Sequence, residues 1–151
     1  MHLALASDHT ALDLKHEIMN LLAELGHTYQ DFGAFDTQRV DYPLFAEQAA
    51  RAVVSGRCER GIIFCGTGVG MYIAANKIDG IRCVNCSEPY SAKLSRQHND
   101  TNMLSLGARV VGAELAKMIA AIWLETEYEG GRHQGRVDLI ADLEKRPGGQ
   151  D

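Results

Sequence analysis

The run Gly61-Ile62-Ile63-Phe64 leads through Cys65 into Gly66-Thr67-Gly68-Val69-Gly70 and on into the small-residue stretch Met71 to Lys77. A short, wholly apolar run reads as a buried strand. Three glycines at alternate positions read as a tight turn whose backbone can approach a ligand. Followed by a helix, this is a strand–loop–helix unit, and parallel strands need such crossovers. The same alternation runs along the whole chain. Leu3 to Ala6 is a strand. Leu14, Ile18, Leu21, Leu22 and Leu25 recur at helical spacing, with Gly26 as the stop. His27 to Phe32 is a more polar second strand and Gly33 to Tyr42 a loop. Pro43 opens a helix carrying Phe45, Ala49, Ala52 and Val53 that stops near Gly56. Residues 81–85 form the fourth strand, and Ser87 caps a helix running to about His98. Asn102 to Leu106 is the fifth strand and Glu114 to Leu124 the fifth helix. Tyr128 to Gly135 is glycine-rich. Beyond it lies an amphipathic stretch with Val137, Ile140 and Leu143 as its apolar side.

Five strands alternating with helices predict an α/β fold. The expected form is a Rossmann-like, doubly wound, five-stranded parallel sheet with helices on both faces and a C-terminal helical extension. The 151 residues fit one domain, over residues 1–146, with a frayed tail over residues 147–151. Such sheets bind ligands at the carboxyl ends of their strands, near the point where strand order reverses. The loops after the first, third and fourth strands are the candidates.

Fifteen basic against 20 acidic residues give a net charge of −5, the wrong sign for a nucleic-acid partner. No apolar run approaches the roughly 18 residues of a membrane span. Met1 to Asp8 lacks a basic region and meets an acid too early for a secretion signal. The expected location is the cytoplasm, with Cys58, Cys65, Cys83 and Cys86 as reduced thiols. Cys83 and Cys86 form a C-x-x-C pair, but strand geometry turns residues three apart to opposite faces, so they read as packing thiols.

The loop from Cys65 to Gly70 suits an anion: a phosphate, or an oxyanion formed during reaction. A thiol beside such N–H groups ionises more readily. Known phosphate loops do not fit. No Lys follows Gly70, the glycine spacing is not that of a dinucleotide fingerprint, and Met71 stands where a Cys-x5-Arg phosphatase loop has arginine. Asp8-His9 reads alone as a helix cap and a surface histidine, and His98 as a polar helix end. Arg132 and Arg136 share a face if helical, either as a solvated basic face or as a phosphate clamp. No cluster has metal-ligand spacing.

Ser7-Asp8-His9, Asp41-Tyr42-Pro43, Cys65-Gly66-Thr67-Gly68-Val69-Gly70 and Ala74-Ala75-Asn76-Lys77 resemble motifs of the ribose-5-phosphate isomerase B family. So do Tyr90-Ser91-Ala92, Arg96-Gln97-His98-Asn99-Asp100, Gly107-Ala108-Arg109-Val110-Val111-Gly112 and Glu129-Gly130-Gly131-Arg132-His133. The resemblance runs from about residue 2 to residue 145, in the family's order. It implies an aldose–ketose isomerase of carbohydrate metabolism, acting on ribose 5-phosphate and ribulose 5-phosphate in the pentose phosphate pathway. In that reading Cys65 is the base. The backbone of Gly66, Gly68, Val69 and Gly70, with Thr67, holds enediolate oxygens. His98 opens the sugar ring, and Asp8 and Asn99 bind the sugar. His9, Arg109, Arg132 and Arg136 hold the phosphate. An aldose–ketose interconversion needs no redox cofactor and no metal is expected, since no ligand set is visible; the family builds its sites between two subunits, which implies a homodimer or tetramer. Two departures stand out: Thr10-Ala11 replaces a small pair after Asp-His, and Met71 replaces the Glu base of some branches. Other readings are an allose-6-phosphate or other hexose-6-phosphate isomerase, a cysteine-nucleophile hydrolase or phosphatase, and a sugar-phosphate-binding module without turnover.

Overall fold

The structure, a computed structural model, describes residues 1–146; the tail expected over residues 147–151 lies outside them. In chain order the elements are β1 (His2–Ser7), α1 (Leu12–Glu24), β2 (Thr28–Asp31), α2 (Tyr42–Val54), β3 (Arg60–Cys65) and α3 (Val69–Ala75). They continue with β4 (Cys83–Asn85), α4 (Pro89–Asn99), β5 (Met103–Gly107) and α5 (Ala113–Glu125), then a 3₁₀ turn (Gly131–His133) and α6 (Gln134–Glu144). All strand pairs are parallel, in the order β2-β1-β3-β5-β4. The doubly wound sheet expected from the sequence is the fold. No helix among the described residues is long and apolar enough to cross a membrane.

Alternation along the strands sorts the core into two layers. Leu3, Leu5, Ile62, Phe64, Leu104 and Leu106 face α1 and α5, around the fully buried Trp123. Ala4, Ala6, Ile63, Cys65, Cys83 and Met103 face α2 and α3. Cys83 and Cys86 fall in opposite layers, as strand geometry requires. Helix α2 presents Ala46, Ala49, Ala50 and Ala52 to the sheet, so it packs closely. Buried Lys15 ties the segment after β2 to α1: its Nζ donates to both Asp31 oxygens (2.9 and 3.0 Å) and to the Ala34 carbonyl (2.6 Å).

Several boundaries differ from the sequence reading. Ser87 does not cap α4; Glu88 does, because its longer carboxylate reaches two N–H groups, of Tyr90 (2.6 Å) and Ser91 (2.8 Å). Helix α3 spans Val69–Ala75 rather than Met71 to Lys77. The Asn76 side chain stops it by exchanging hydrogen bonds with the Cys83 backbone, donating to its carbonyl (3.1 Å) and accepting from its N–H (2.9 Å). Arg132 and Arg136 do not share one helix. Gly130 and Gly131 have positive φ, Arg132 lies in the 3₁₀ turn, and α6 starts at Gln134. On α6, Val137 is buried, but Ile140 is 40% and Leu143 61% exposed, so this chain leaves most of that apolar side uncovered.

Candidate active site

Two groups of candidate residues emerge, one at each end of the sheet. At the carboxyl end, Ser7 of β1 aligns with Phe64 of β3, and Cys65 with Gly107 of β5. Strand order reverses between β1 and β3, so the loops after β1, β3 and β5 meet there. The loop after β5 takes the place the sequence reading gave to the loop after β4, because β4 lies at the sheet's edge. Residue Asn85 of β4 still reaches in, its amide donating to the Thr67 carbonyl at 3.4 Å.

The Cys65–Gly70 loop has carbonyls engaged on its way round and several N–H groups free; the Val69 N–H donates to Thr67 Oγ1 at 3.4 Å. Cys65 and Gly66 carbonyls accept from the N–H groups of Ala108 and Arg109, each at 2.9 Å. The Gly68 carbonyl accepts from Ser105 Oγ at 2.6 Å. Among the described residues, the N–H groups of Gly66, Thr67 and Gly68 donate to nothing. A run of unpaired N–H groups is an anion-binding concavity. Glycine is required here for two reasons. Gly68 has φ +80°, and a Cβ there would collide with Asn85 Oδ1. A Cβ on Gly107 would stand 2.6 Å from the Thr67 carbonyl, so only glycine lets the loop settle on the end of β5.

Around this loop, Cys65 is 6% exposed. Asp8 is buried, its Oδ1 accepting from the Thr10 N–H (2.8 Å) and hydroxyl (2.6 Å). The departure Thr10-Ala11 thus holds the Asp8 carboxylate in place. Among the described residues, His9 Nδ1 is buried without a hydrogen-bond partner, as is Ser7 Oγ. Arg109 lies along Gly66, with Cδ 3.5 Å from where a Cβ would stand. The Tyr42 ring packs against Gly70. The sequence offers a motif around Tyr42 but no signal for this contact, nor for Asn85 and Ser105.

His98 and Asn99 sit at the opposite end. Helix α4 runs back along the sheet from β4, and its last residues lie beside the start of β5. The register from Met103 to Gly107 puts about 13 Å of strand between that end and Cys65. The helix end is tightly held. Asp100, at φ 46°, closes α4 and accepts from Arg82 (2.9 Å) and Arg96 (2.8 Å). Arg96 is buried and also donates to the Thr101 carbonyl; Trp123 Nε1 donates to Thr101 Oγ1 at 2.9 Å. The Glu129 N–H donates to the Gln97 carbonyl at 3.0 Å, which brings the 3₁₀ turn to His98. There the His98 and His133 rings stack, with centroids 4.2 Å apart and planes 10° apart. Arg132 Nε donates to His133 Nε2 at 3.3 Å, and Arg136 follows in the first turn of α6.

His98, Glu129 and His133 bring three possible metal-ligating atoms within 4.8 Å of one another. Stacked imidazoles aim their lone pairs side by side rather than at a common point, and Arg132 already occupies His133 Nε2. That geometry suits a histidine pair, not a metal centre. Burial, then His98 and Arg132, lower the pKa of His133, which favours its neutral form. Burial pushes up the thiols of Cys58, Cys83 and Cys86, the last to about 12, so these three behave as packing groups.

The sequence matches the family described as Ribose/Galactose Isomerase over residues 3–140. It is 57% identical over 144 residues to ribose-5-phosphate isomerase B of Escherichia coli K12, covering 95% of this chain and 97% of that protein. It is 41% identical to a D-erythrulose-4-phosphate isomerase of Pectobacterium atrosepticum, over 95% of both chains. The solved ribose-5-phosphate isomerase B of Clostridium thermocellum superposes with a TM-score of 0.94 at 49% identity, covering 96% of this chain and 98% of that one. The resemblance in the motifs and the doubly wound sheet are thereby joined by a match along nearly the whole length, and the chain belongs to the ribose/galactose isomerase family.

Proposed function

We propose that this aldose–ketose isomerase interconverts D-ribose 5-phosphate and D-ribulose 5-phosphate through a cis-enediolate, at sites each built from two copies of the chain. The observation that carries the proposal is the division of the candidate residues. Cys65, the free N–H groups, Thr67, Asp8, His9 and Arg109 stand at one end of the sheet. His98, Asn99, Arg132 and Arg136 stand at the other. Neither half suffices. The first has a base and an oxyanion site, but its His9 is read as a phosphate ligand and its Asp8 Oδ1 is held by Thr10, which leaves the ring to His98. The second has the histidine and two arginines but no base beside an anion site. The uncovered apolar side of α6 gives a second copy a surface to bury.

In the proposed reaction protonated His98 gives its proton to the ring oxygen and takes up the proton of the anomeric hydroxyl as the bond from C1 to the ring oxygen breaks, so the furanose opens to the aldehyde and His98 returns to its starting charge. Cys65, as thiolate, takes the proton from the carbon next to the carbonyl and returns it to the neighbouring carbon. Negative charge develops on the enediolate oxygens, and the N–H groups of Gly66, Thr67 and Gly68, which have no acceptor among the described residues, are the donors for it. One such fixed donor can contribute roughly 3 kcal/mol. Val69, Gly70 and the Thr67 side chain line the same loop, and Asp8 and Asn99 bind sugar hydroxyls. His9, Arg109, Arg132 and Arg136 hold the phosphate; its binding orients the distant reacting carbons. As proposed, the chemistry uses neither a metal nor a redox cofactor.

Ribose 5-phosphate is the proposed sugar, and the E. coli relative at 57% identity supports it. A pocket discriminates only about 1–3 kcal/mol per carbon-sized group, so chain length is the sensitive point. The test is the ratio of kcat/KM on ribose 5-phosphate and allose 6-phosphate. The proposal expects the pentose to be favoured. A ratio favouring the hexose by about tenfold overturns the choice of sugar and leaves the chemistry standing.

A further inference from the structure

We infer that His133 is a positioning residue for ring opening: it holds the His98 imidazole by its face and leaves that ring as the only one of the pair that changes charge during turnover. The inference rests on the reading of His98 as the ring-opening group.

His98 lies near the end of α4, partly buried, with its backbone at the last helical turn. A histidine there has two free side-chain torsions, yet proton exchange between two oxygens of one sugar demands a fixed ring edge. His133 supplies the missing constraint. It is 5% exposed and lies at the junction of the 3₁₀ turn and α6. Its Nε2 accepts from Arg132 Nε at 3.3 Å, and Glu129 Oε2 stands 3.6 Å away. The parallel stack, with centroids 4.2 Å and planes 10° apart, covers one face of the His98 ring and restrains it from turning out of that plane.

The surroundings decide which imidazole takes a proton. His133 is buried, receives a hydrogen bond from Arg132 at the nitrogen that would be protonated, and faces His98; Arg136 adds positive charge and Glu129 alone opposes it. Two stacked imidazolium rings repel. A His133 that stays neutral lets His98 gain and lose its proton without moving its neighbour. The arginines read as a phosphate clamp thus have a second effect: Arg132 fixes the tautomer of the ring that supports His98.

The test separates ring opening from proton transfer between carbons. Ribulose 5-phosphate cannot form a furanose, so exchange of its C1 protons with deuterated water needs the base but no ring opening. In His133→Ala, kcat on ribose 5-phosphate should fall about tenfold or more with KM within about threefold, while that exchange stays within about threefold of wild type. His133→Phe restores a flat face and should recover more turnover than His133→Leu, which fills similar space without one. Equal loss of turnover and exchange, or equal kcat in the Phe and Leu variants, would overturn the inference. If His133→Ala does not fold, the Phe and Leu pair decides alone. His98→Ala is the control: it should lose turnover and keep exchange. Normal turnover in His98→Ala would instead remove the reading of His98 itself.

Discussion

The anion nest at the carboxyl end of the sheet is built from neighbours in sequence, with Asp8, His9 and Arg109 brought to it by the loops after β1 and β5; the amino end is built from residues far apart throughout. At the carboxyl end six consecutive residues, Cys65 to Gly70, create the thiol and the run of free N–H groups. The rest of the sheet seats them through Ser105, Asn85 and the bare Gly107, and adds Asp8, His9 and Arg109 from the neighbouring loops. At the amino end His98 depends on Asp100, Arg82, Arg96, Thr101, Trp123, Glu129 and His133, spread over fifty residues. Buried arginine and stacked histidine do there what glycine geometry does opposite. The nest needs few supports, Ser105, Asn85 and Gly107; the histidine needs many, drawn from Arg82, Arg96, Trp123 and the 3₁₀ turn of its own chain.

Substitutions at the two ends should therefore fail in different ways. Cys65→Ala should cost the most activity, roughly 10²–10⁴-fold in kcat, with fold and substrate binding kept, and calorimetry plus ligand titration would check it. Gly68→Ala should come next. It forces φ +80° on a residue with a side chain and drives a methyl at Asn85. Loss of one fixed donor predicts roughly 10²–10³-fold in kcat. Arg96→Leu, at the other end, should act on the fold first. It strips buried donors from Asp100 and Thr101, and urea denaturation should show a loss of about 2–3 kcal/mol. If Arg96→Leu instead leaves stability intact, the account of the amino end as a supported structure fails.

The smallest effect concerns pH. The His133 pKa is lowered in the fold by burial, His98, Arg132 and Arg136 against Glu129. The unfolded chain then binds the proton more tightly than the folded one. Stability from this group is present above the ordinary histidine range, falls as pH drops through about 6.5, and is gone below the lowered value. His27 is lowered too, by burial and the nearby N-terminus, and adds in the same direction. Urea midpoints from pH 8 to pH 5 should decline, and His133→Phe should decline less steeply. An unchanged slope in that variant would contradict the assignment of a neutral His133.

The two ends also differ in how much the sequence discloses. Strand periodicity and glycine spacing are local signals, so the five strands, the sheet class and the Cys65–Gly70 loop are legible in the order of residues alone. The misplacements have physical causes. Ser87 lost its capping role because Glu88 reaches two N–H groups. Helix α3 ended early because Asn76 pairs with Cys83 across a loop. Arg132 left the helix of Arg136 because two glycines adopt positive φ. His133 carried little signal, since its role lies in a stack with a residue 35 positions away. That His98 and Cys65 stand at opposite ends of one sheet follows from α4 being a crossover helix that runs back along the strands, which the strand–helix alternation already implies.

That separation is the central claim, and subunit mixing tests it most directly. Cys65→Ala and His98→Ala proteins, each inactive alone, are unfolded together in urea and refolded as a mixture. If each site takes Cys65 from one copy and His98 from another, random pairing makes half the dimers mixed, each with one intact site. Activity should then return to about a quarter of wild type. A mixture no more active than the sum of its parts would place both residues in the same chain's site, and would contradict the account.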